Sequence, residues 1–264
     1  MIYVLLRFNK FEPRQIAVRS ILKYILAISF GLSFSMAAAQ SGGAKGIKIE
    51  NLPQFDRRTF HFGFALGYNN ADFFLDVKPG VIPQDSVKSI QTVRQPGFHL
   101  GIVSSLNITK NIRLRFLPSI VFQDRVLQYK FLEPDASIST YDKNVESTYL
   151  EFPLLLKFRT DRINNVAYYL VAGGKISIDM ATQKDVDNSI DPDEIVIKLE
   201  KTDYAAEVGA GMDFFLPYFK FAIELKAAFG IPNLLIDDGT RFSSPIESLR
   251  TKGFYVSFLF EGGI

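Results

Sequence analysis

One stretch near the middle of the chain decides the fold: Tyr149-Leu-Glu-Phe-Pro-Leu-Leu-Leu-Lys-Phe-Arg159. Every second residue from Leu150 to Phe158 is apolar, whereas the intervening positions carry most of the charge. Successive side chains of a β-strand point to opposite faces, so the alternation predicts a strand with one apolar and one charged face. We place this strand at residues 145–159.

Seven further segments alternate in the same way. They lie at residues 59–68, 98–108, 112–131, 166–180, 202–216, 219–230 and 251–261. Short connections (109–111, 160–165 and 216–218) alternate along the chain with long polar ones (69–96, 132–144, 181–201 and 231–250). An even number of strands, each long enough to cross a bilayer and joined by short turns and long loops in turn, is typical of outer-membrane β-barrels. We therefore predict an all-β fold, an eight-stranded antiparallel transmembrane barrel at residues 59–264.

A soluble eight-stranded barrel of the lipocalin type is the competing fold. It would turn its apolar face inward and its charged face outward. The charged face of this chain is rich in glycines such as Gly101 and Gly209, which suits a crowded interior, and the apolar face carries aromatic residues near the strand ends. We therefore expect the apolar face to meet lipid, with an aromatic girdle at each interface.

The first 39 residues predict a cleaved signal peptide with an extended n-region. Arg19 and Lys23 precede an apolar run at 24–36, which is followed by Ala37-Ala38-Ala39. The run falls short of the ~20 apolar residues that a membrane-spanning helix needs. Residues 40–58 are then expected to form a periplasmic N-terminal tail, which would place both ends of the barrel on the periplasmic side of the outer membrane.

The composition limits the chemistry of the mature chain. The sequence has no cysteine, which excludes disulfides and thiolate metal sites. Of its 30 basic and 28 acidic residues, five and one lie in residues 1–39, which leaves 25 and 27 and a net charge near −2. Without a basic excess, nucleic acid is not an expected partner.

The interior of an eight-stranded barrel is just wide enough to be filled by side chains. Because an unpaired charge costs several kcal/mol in a dry interior, we expect the inward charges to pair in a structural network. A proton or ion path along the same network is the alternative. The predicted network is Arg113, Arg115, Glu151, Lys157, Arg159, Lys175, Asp179, Glu207, Asp213, Glu224 and Lys226.

The two histidines are the other candidates for chemistry. His61 and His99 share the inward face, and two histidines alone do not make a metal site. Ser105 and Ser177 are also inward, so a serine–histidine pair is conceivable, as in outer-membrane lipid hydrolases. No phosphate loop or nucleophile elbow appears. We expect ordinary hydrogen bonding in the interior, with no catalytic residue, cofactor or metal.

Several motifs resemble one family of barrels. Leu150–Phe158 followed by Tyr169–Gly174 resembles the PorT-like outer-membrane β-barrels of the Bacteroidetes. A narrower resemblance, to PorT itself (SprT-like in gliding bacteria), comes from five further segments. They are Asn51–Arg58, His61–Gly67, Asp72–Phe73, Ile231–Leu235 and Ser248–Gly253.

The resemblance implies a non-enzymatic accessory role in type IX protein secretion and in gliding motility. It implies outer-membrane lipid and other components of the secretion machinery as partners. The tail is then a candidate partner contact, through Asn51, Leu52, Pro53, Phe55, Asp56, Arg57 and Arg58. A PorT-like barrel with an adhesive or envelope-stabilising role is the second hypothesis, and an outer-membrane lipid hydrolase is the third.

Overall fold

A computed structural model describes residues 50–78, 87–132, 135, 137–181 and 195–262. The predicted signal peptide, the first part of the tail and most of the loop 181–201 lie outside these described residues. In the described part of the chain, nine strands follow a short 3-10 turn at Phe55–Arg57. They are β1 (Phe60–Val77), β2 (Val87–Asn107), β3 (Ile112–Phe116), β4 (Ser119–Leu132), β5 (Ile138–Arg159), β6 (Val166–Asp179), β7 (Thr202–Phe215), β8 (Phe219–Gly230) and β9 (Ile246–Gly262). None of the described segments forms a helix long and apolar enough to cross a membrane.

The strands form one closed antiparallel barrel. The sheet closes because β1 pairs with both β2 and β9. β3 and β4 share one position, since each pairs with β2 on one side and β5 on the other. They are separated at Leu117-Pro118, where Pro118 has no N–H to donate to the ladder. The nine strands therefore occupy eight positions, and the predicted eight-stranded barrel is confirmed.

The apolar faces of the strands point outward. Phe62 on β1 and Ile102 on β2 are each 62% exposed, while His61 and Val103 beside them are buried. This is the arrangement expected against lipid and the reverse of a lipocalin. Inside the barrel, the ring of Tyr169 lies over its directly paired neighbour Gly211, where a β-carbon would collide with the ring. The glycines of the inner face make room for large side chains.

Part of what we predicted as loop is strand. β1 and β2 continue through much of 69–96, β5 begins inside 132–144, and β9 begins inside 231–250. These extensions are polar because they lie beyond the apolar belt, and so they read as loop in the sequence. Cross-strand pairing decides their structure, as in the unbroken ladder from Leu132↔Ile138 to Ser119↔Glu151. A tall wall of β9, β1, β2, β4 and β5 thus rises above the shorter β6, β7 and β8.

Apolar side chains fill the space inside the tall wall at the long-loop end. We call this group the outer cap. Residues from 195–199 and 234–249 pack there on residues of β1, β4 and β5. Its buried members are Phe73, Val87, Leu127, Tyr129, Phe131, Val145, Ile195, Ile197, Leu199, Leu234, Phe242, Ile246 and Leu249. The Tyr129 hydroxyl donates to the Phe242 carbonyl at 2.9 Å, so its polar atom is satisfied within the cap.

Candidate functional site

The interior of the barrel carries the charges that the alternation placed there. All eleven residues of the predicted network are buried, since each occupies a lumen-facing position of its strand. They separate along the barrel axis into groups with different partners. Ten of them fall into the three groups described next; Asp179 lies at the outer end of β6 and accepts a hydrogen bond from the Ala181 N–H at 2.9 Å.

The group that we call the central layer consists of three cations and three carboxylates. Arg115 Nη1 donates to Glu224 Oε2 at 2.6 Å, Lys157 Nζ to Asp213 Oδ2 at 2.7 Å, and Lys220 Nζ lies 2.7 Å from Glu261 Oε1. All six side chains are fully buried. Buried charges are tolerated only when paired, and this layer is balanced one to one.

The central layer closes the lumen. In the sheet order, three strands separate β3 from β8 whichever way round the barrel they are counted, so the two face each other across the full diameter. Arg115 stands on β3 and Glu224 on β8, and the 2.6 Å contact therefore spans the lumen. Tyr169 fills the space beside it, with Lys157 Nζ 3.5 Å from its ring centre. These side chains thus meet across the lumen at this level.

A second balanced group, the upper layer, lies nearer the long-loop end. Lys175 Nζ donates to Glu151 Oε1 at 2.6 Å and to the Tyr255 hydroxyl at 2.7 Å. Lys226 Nζ donates to Glu207 Oε2 at 3.1 Å. Two cations thus match two carboxylates, and Lys175 Nζ lies 3.5 Å from Glu207 Oε1, which links the two pairs.

The third group lies at the short-turn end and involves the segment before the barrel. Residues 51–58, expected in the periplasmic tail, fold against the open end of the barrel. Phe55 is buried, stacks on His61 at 3.9 Å between ring centres and meets the edge of Phe215. The Asn51 side-chain amide donates to the Phe215 carbonyl at 2.9 Å. We call residues 51–58 the plug segment.

Asp56 fixes the plug segment through three arginines. Its Oδ1 accepts from Arg113 Nη2 at 2.6 Å and from Arg159 Nη1 at 2.9 Å, and its Oδ2 lies 2.9 Å from Arg162 Nε. Burial alone would raise the pKa of Asp56, but the three guanidinium groups outweigh it and hold the pKa well below its ordinary value of 3.8. We call these four residues the mouth cluster.

The residues proposed as a partner contact therefore fall into two sets, those bound to the barrel and those that remain exposed. Phe55 and Asp56 are engaged within the barrel, and Asn51 is hydrogen-bonded to it. Exposed side chains remain at Pro53, Arg57 and Arg58, while Leu52 is half-buried. A contact with a partner through this segment stays a prediction, and it would use its outer surface.

The sequence reasoning missed Lys220 and Glu261 in the central layer, and also Arg162. The alternation places Lys220 and Glu261 on the charged faces of the strands predicted at 219–230 and 251–261, but the predicted network left them out. Arg162 lies in the turn between β5 and β6, where no periodicity applies. Including every charged residue of that face in the network would have found the first two.

The histidines are held by hydrogen bonds. His99 Nε2 lies 3.0 Å from Ser257 Oγ and His61 Nε2 lies 3.1 Å from Asn107 Nδ2, so neither pairs with Ser105 or Ser177 as the sequence allowed. His99 and Ser257 are both buried inside the barrel, out of reach of a lipid ester at the outer wall. In the described part of the chain, no three histidine or acidic side chains are grouped so as to hold a metal.

A closed barrel with an apolar outer wall and a filled, charged lumen defines a transmembrane β-barrel. The family model for the outer membrane protein beta-barrel domain matches residues 38–235 of this sequence. The chain belongs to that family, and its place is the outer membrane.

Solved structures give a coarser comparison. OprG of Pseudomonas aeruginosa is 14% identical with a TM-score of 0.40, and the match covers 76% of this chain and 91% of OprG. Neisserial surface protein A is 11% identical with a TM-score of 0.39, covering 76% and 97%. Ail of Yersinia pestis is 14% identical with a TM-score of 0.37, covering 77% and 99%. These similarities are too low to carry an argument about function. No curated protein sequence matches the chain.

Proposed function

We propose that the protein is a non-conducting, non-enzymatic component that anchors or assembles a type IX secretion machinery in the outer membrane. The observation that carries the non-conducting part is the contact between Arg115 and Glu224, which spans the lumen. Folded cargo has no route past this layer. A role in secretion would therefore be exerted on neighbouring proteins.

The secretion role itself rests on sequence resemblance. The segments that resemble PorT include the plug segment and Ile231–Leu235. In the structure these two lie at opposite ends of the barrel, one at the short turns and one in the outer cap, to which Leu234 belongs. Outer-membrane barrels place their short turns in the periplasm, so we expect the exposed face of the plug segment to be presented there. That face is available to other secretion components.

Deletion of the gene tests the role in secretion. We expect cargo with C-terminal sorting domains to accumulate in the periplasm, while other outer-membrane proteins assemble normally. Complementation with the wild-type gene should restore secretion. Normal export of cargo by the deletion strain would contradict the proposal and favour an adhesive or envelope-stabilising role.

Conductance tests the closed lumen separately. Purified protein reconstituted in planar bilayers should show no steady channel. The matched variant is Arg115→Ala combined with Glu224→Ala, which removes the cross-lumen contact without leaving either charge unpaired. Steady conductance by the wild type would show that the lumen is open in the membrane and would overturn the non-conducting assignment.

A further inference from the structure

The outer face of the barrel changes character just beyond its apolar belt, at the long-loop end. On β1 the outward side chains are apolar from Phe60 to Tyr68 and polar at Asn70 and Asp72. At about 3.3 Å per residue and a strand tilt of about 40°, the chain from Phe60 to Asp72 rises about 30 Å along the membrane normal. The apolar band of an outer-membrane barrel is about 25 Å tall, so Asp72 lies at the level of the lipid headgroups.

At this level Asp72 holds two cations against the outer wall. Its Oδ2 lies 3.0 Å from Arg94 Nε and 3.1 Å from Lys252 Nζ, and its Oδ1 accepts from the Phe73 N–H at 2.8 Å. The carboxylate is covered by these contacts, since Asp72 is only 5% exposed. We call Asp72, Arg94 and Lys252 the rim cluster. One negative charge there fixes two positive charges, which leaves a surplus of one.

The cations of the rim cluster stand beside an aromatic surface that faces out of the barrel. Lys252 Nζ lies 4.9 Å from the ring centre of Phe74, and that ring stacks on Phe229 at 6.4 Å between centres. Both phenylalanines are exposed. The ion pair uses Nε of Arg94 and leaves 67% of its side chain exposed. The guanidinium group is therefore fixed in position and still accessible from the membrane.

The β4–β5 side of the barrel carries the opposite charge at the same level. Asp124 stands twelve residues beyond Ile112, and Glu146 stands twelve before Phe158, as Asp72 stands twelve beyond the outward-facing Phe60. Asp124 and Glu146 lie directly opposite each other in the ladder, and both are exposed. A phosphate at the headgroup level is therefore repelled on that side and attracted at the rim cluster.

We propose that the rim cluster binds a phosphate group of a lipid in the outer leaflet, with Arg94 and Lys252 as its ligands. Lipid is the neighbour of every outward side chain at this level, and guanidinium and ammonium groups pair strongly with phosphate oxygens. The rings of Phe74 and Phe229 would contact the same lipid, since aromatic side chains favour the membrane interface. This inference does not depend on the secretion role.

The test uses the complete barrel with its plug segment, folded in a non-ionic detergent. Native mass spectrometry counts the lipid molecules that stay bound as each probe is titrated. The probes are diphosphoryl lipid A, the same glycolipid with both phosphates removed, and inorganic phosphate as a competitor. We expect lipid A to bind and the phosphate-free glycolipid to bind at least tenfold more weakly. Millimolar inorganic phosphate should not displace lipid A.

Variants locate the binding on the barrel. Arg94→Gln combined with Lys252→Gln should weaken lipid A binding at least tenfold, and Arg94→Gln alone, at a largely exposed side chain, should weaken it several-fold. The matched control is Lys88→Gln combined with Lys130→Gln, which removes two positive charges at the same end of the barrel and should bind as the wild type does. All variants must keep the faster gel migration of the unheated barrel.

Three results would overturn the proposal. The first is equal binding of lipid A and the phosphate-free glycolipid by the wild type, which would leave only the acyl chains as the cause. The second is equal weakening in the two double variants, which would place the effect in general surface charge. The third is displacement of lipid A by inorganic phosphate, which would make the rim cluster a site for free phosphate.

Discussion

The central layer and the outer cap close the same barrel by opposite means. The central layer contains six fully buried charged groups, whereas the core of the outer cap is formed of apolar and aromatic residues. Burying charges costs free energy that pairing only offsets, whereas apolar burial stabilises by about 25 cal/mol per Å². If stability alone mattered, we would expect apolar side chains to fill the central layer as well as the outer cap.

The difference between their surroundings explains the choice. At the level of the central layer the outer wall faces lipid. If both faces of a strand were apolar there, nothing would determine which face points to lipid and which to the lumen. A shift of one residue turns every side chain to the opposite face. Here such a shift would turn Arg115 and Lys157 toward the lipid side of the wall, where a charge is destabilising. The outer cap lies beyond the apolar belt, where the outside of the wall faces water. There, an apolar face is enough to fix which side of a strand points inward.

The largest expected effect is in the central layer. Glu224→Ala leaves Arg115 buried without its main partner, and we expect a loss of about 3–5 kcal/mol in the free energy of unfolding. Urea unfolding in lipid or detergent measures it. Lys78→Met, which breaks the half-exposed pair with Asp237, is the control and should cost about 0–1 kcal/mol. Equal losses would mean that the central layer is not dry.

The second prediction concerns the lipid-facing outer wall of the barrel. Phe152 lies on β5 and packs against Phe116 on the lipid side. Phe152→Arg should cost about 2–4 kcal/mol because it exposes a charge to hydrocarbon. Phe152→Leu should have little effect. Unfolding in lipid vesicles distinguishes them, and equal tolerance of both would show that this face does not meet lipid.

A third prediction uses pH to separate the mouth cluster from ordinary surface pairs. Because the folded state lowers the pKa of Asp56, its contribution is present above the ordinary value of 3.8 and is lost only as the pH falls through the lower folded value. The plug segment should therefore stay docked at pH 4. Since the chain has no cysteine, a single spin label on Gln54→Cys can report its mobility.

The matched control for this measurement is Asp56→Asn with the same label. It should be mobile at pH 7 and at pH 4 alike, because it has no charge to lose. Release of the wild-type segment at pH 4 would mean that the three arginines do not hold the carboxylate in its ionised form.

The smallest effect is expected in the outer cap. Tyr129→Phe removes one hydrogen bond, to the Phe242 carbonyl, from an otherwise apolar group. We expect a loss of about 0.5–1.5 kcal/mol, measured by the same urea unfolding. A loss as large as that of Glu224→Ala would remove the distinction between the two regions.

The alternation predicted the barrel because it can be read from neighbouring residues alone, and because the lipid-facing side of each strand has to be apolar. Residues such as Leu150 and Glu151 must face opposite sides whatever their partners are, so their faces follow from position alone. The choice of ion-pair partner, in contrast, does not follow from position along the strand. Glu151 and Lys157 stand on one strand, yet Glu151 pairs with Lys175 and Lys157 with Asp213, according to the register between strands.

The sequence reasoning failed where distant parts of the chain decide the structure. Asn69 and Asn70 read as loop, but they pair with β2 and β9 and continue the strand. The plug segment reads as a polar tail because one buried phenylalanine and one aspartate give no periodicity. Its structure depends on Arg113 and Arg159, which the chain supplies much later.

That order along the chain means that the plug segment can dock only after much of the barrel has formed. Asp56 is separated from Arg113 by 57 positions and from Arg159 by 103, and Asn51 from Phe215 by 164. None of these partners is in place until β3, β5 and β7 have joined the barrel, although the plug segment is synthesised first. Its docking therefore reports on the assembly of these three strands, and time-resolved protection of residues 51–58 should lag behind theirs.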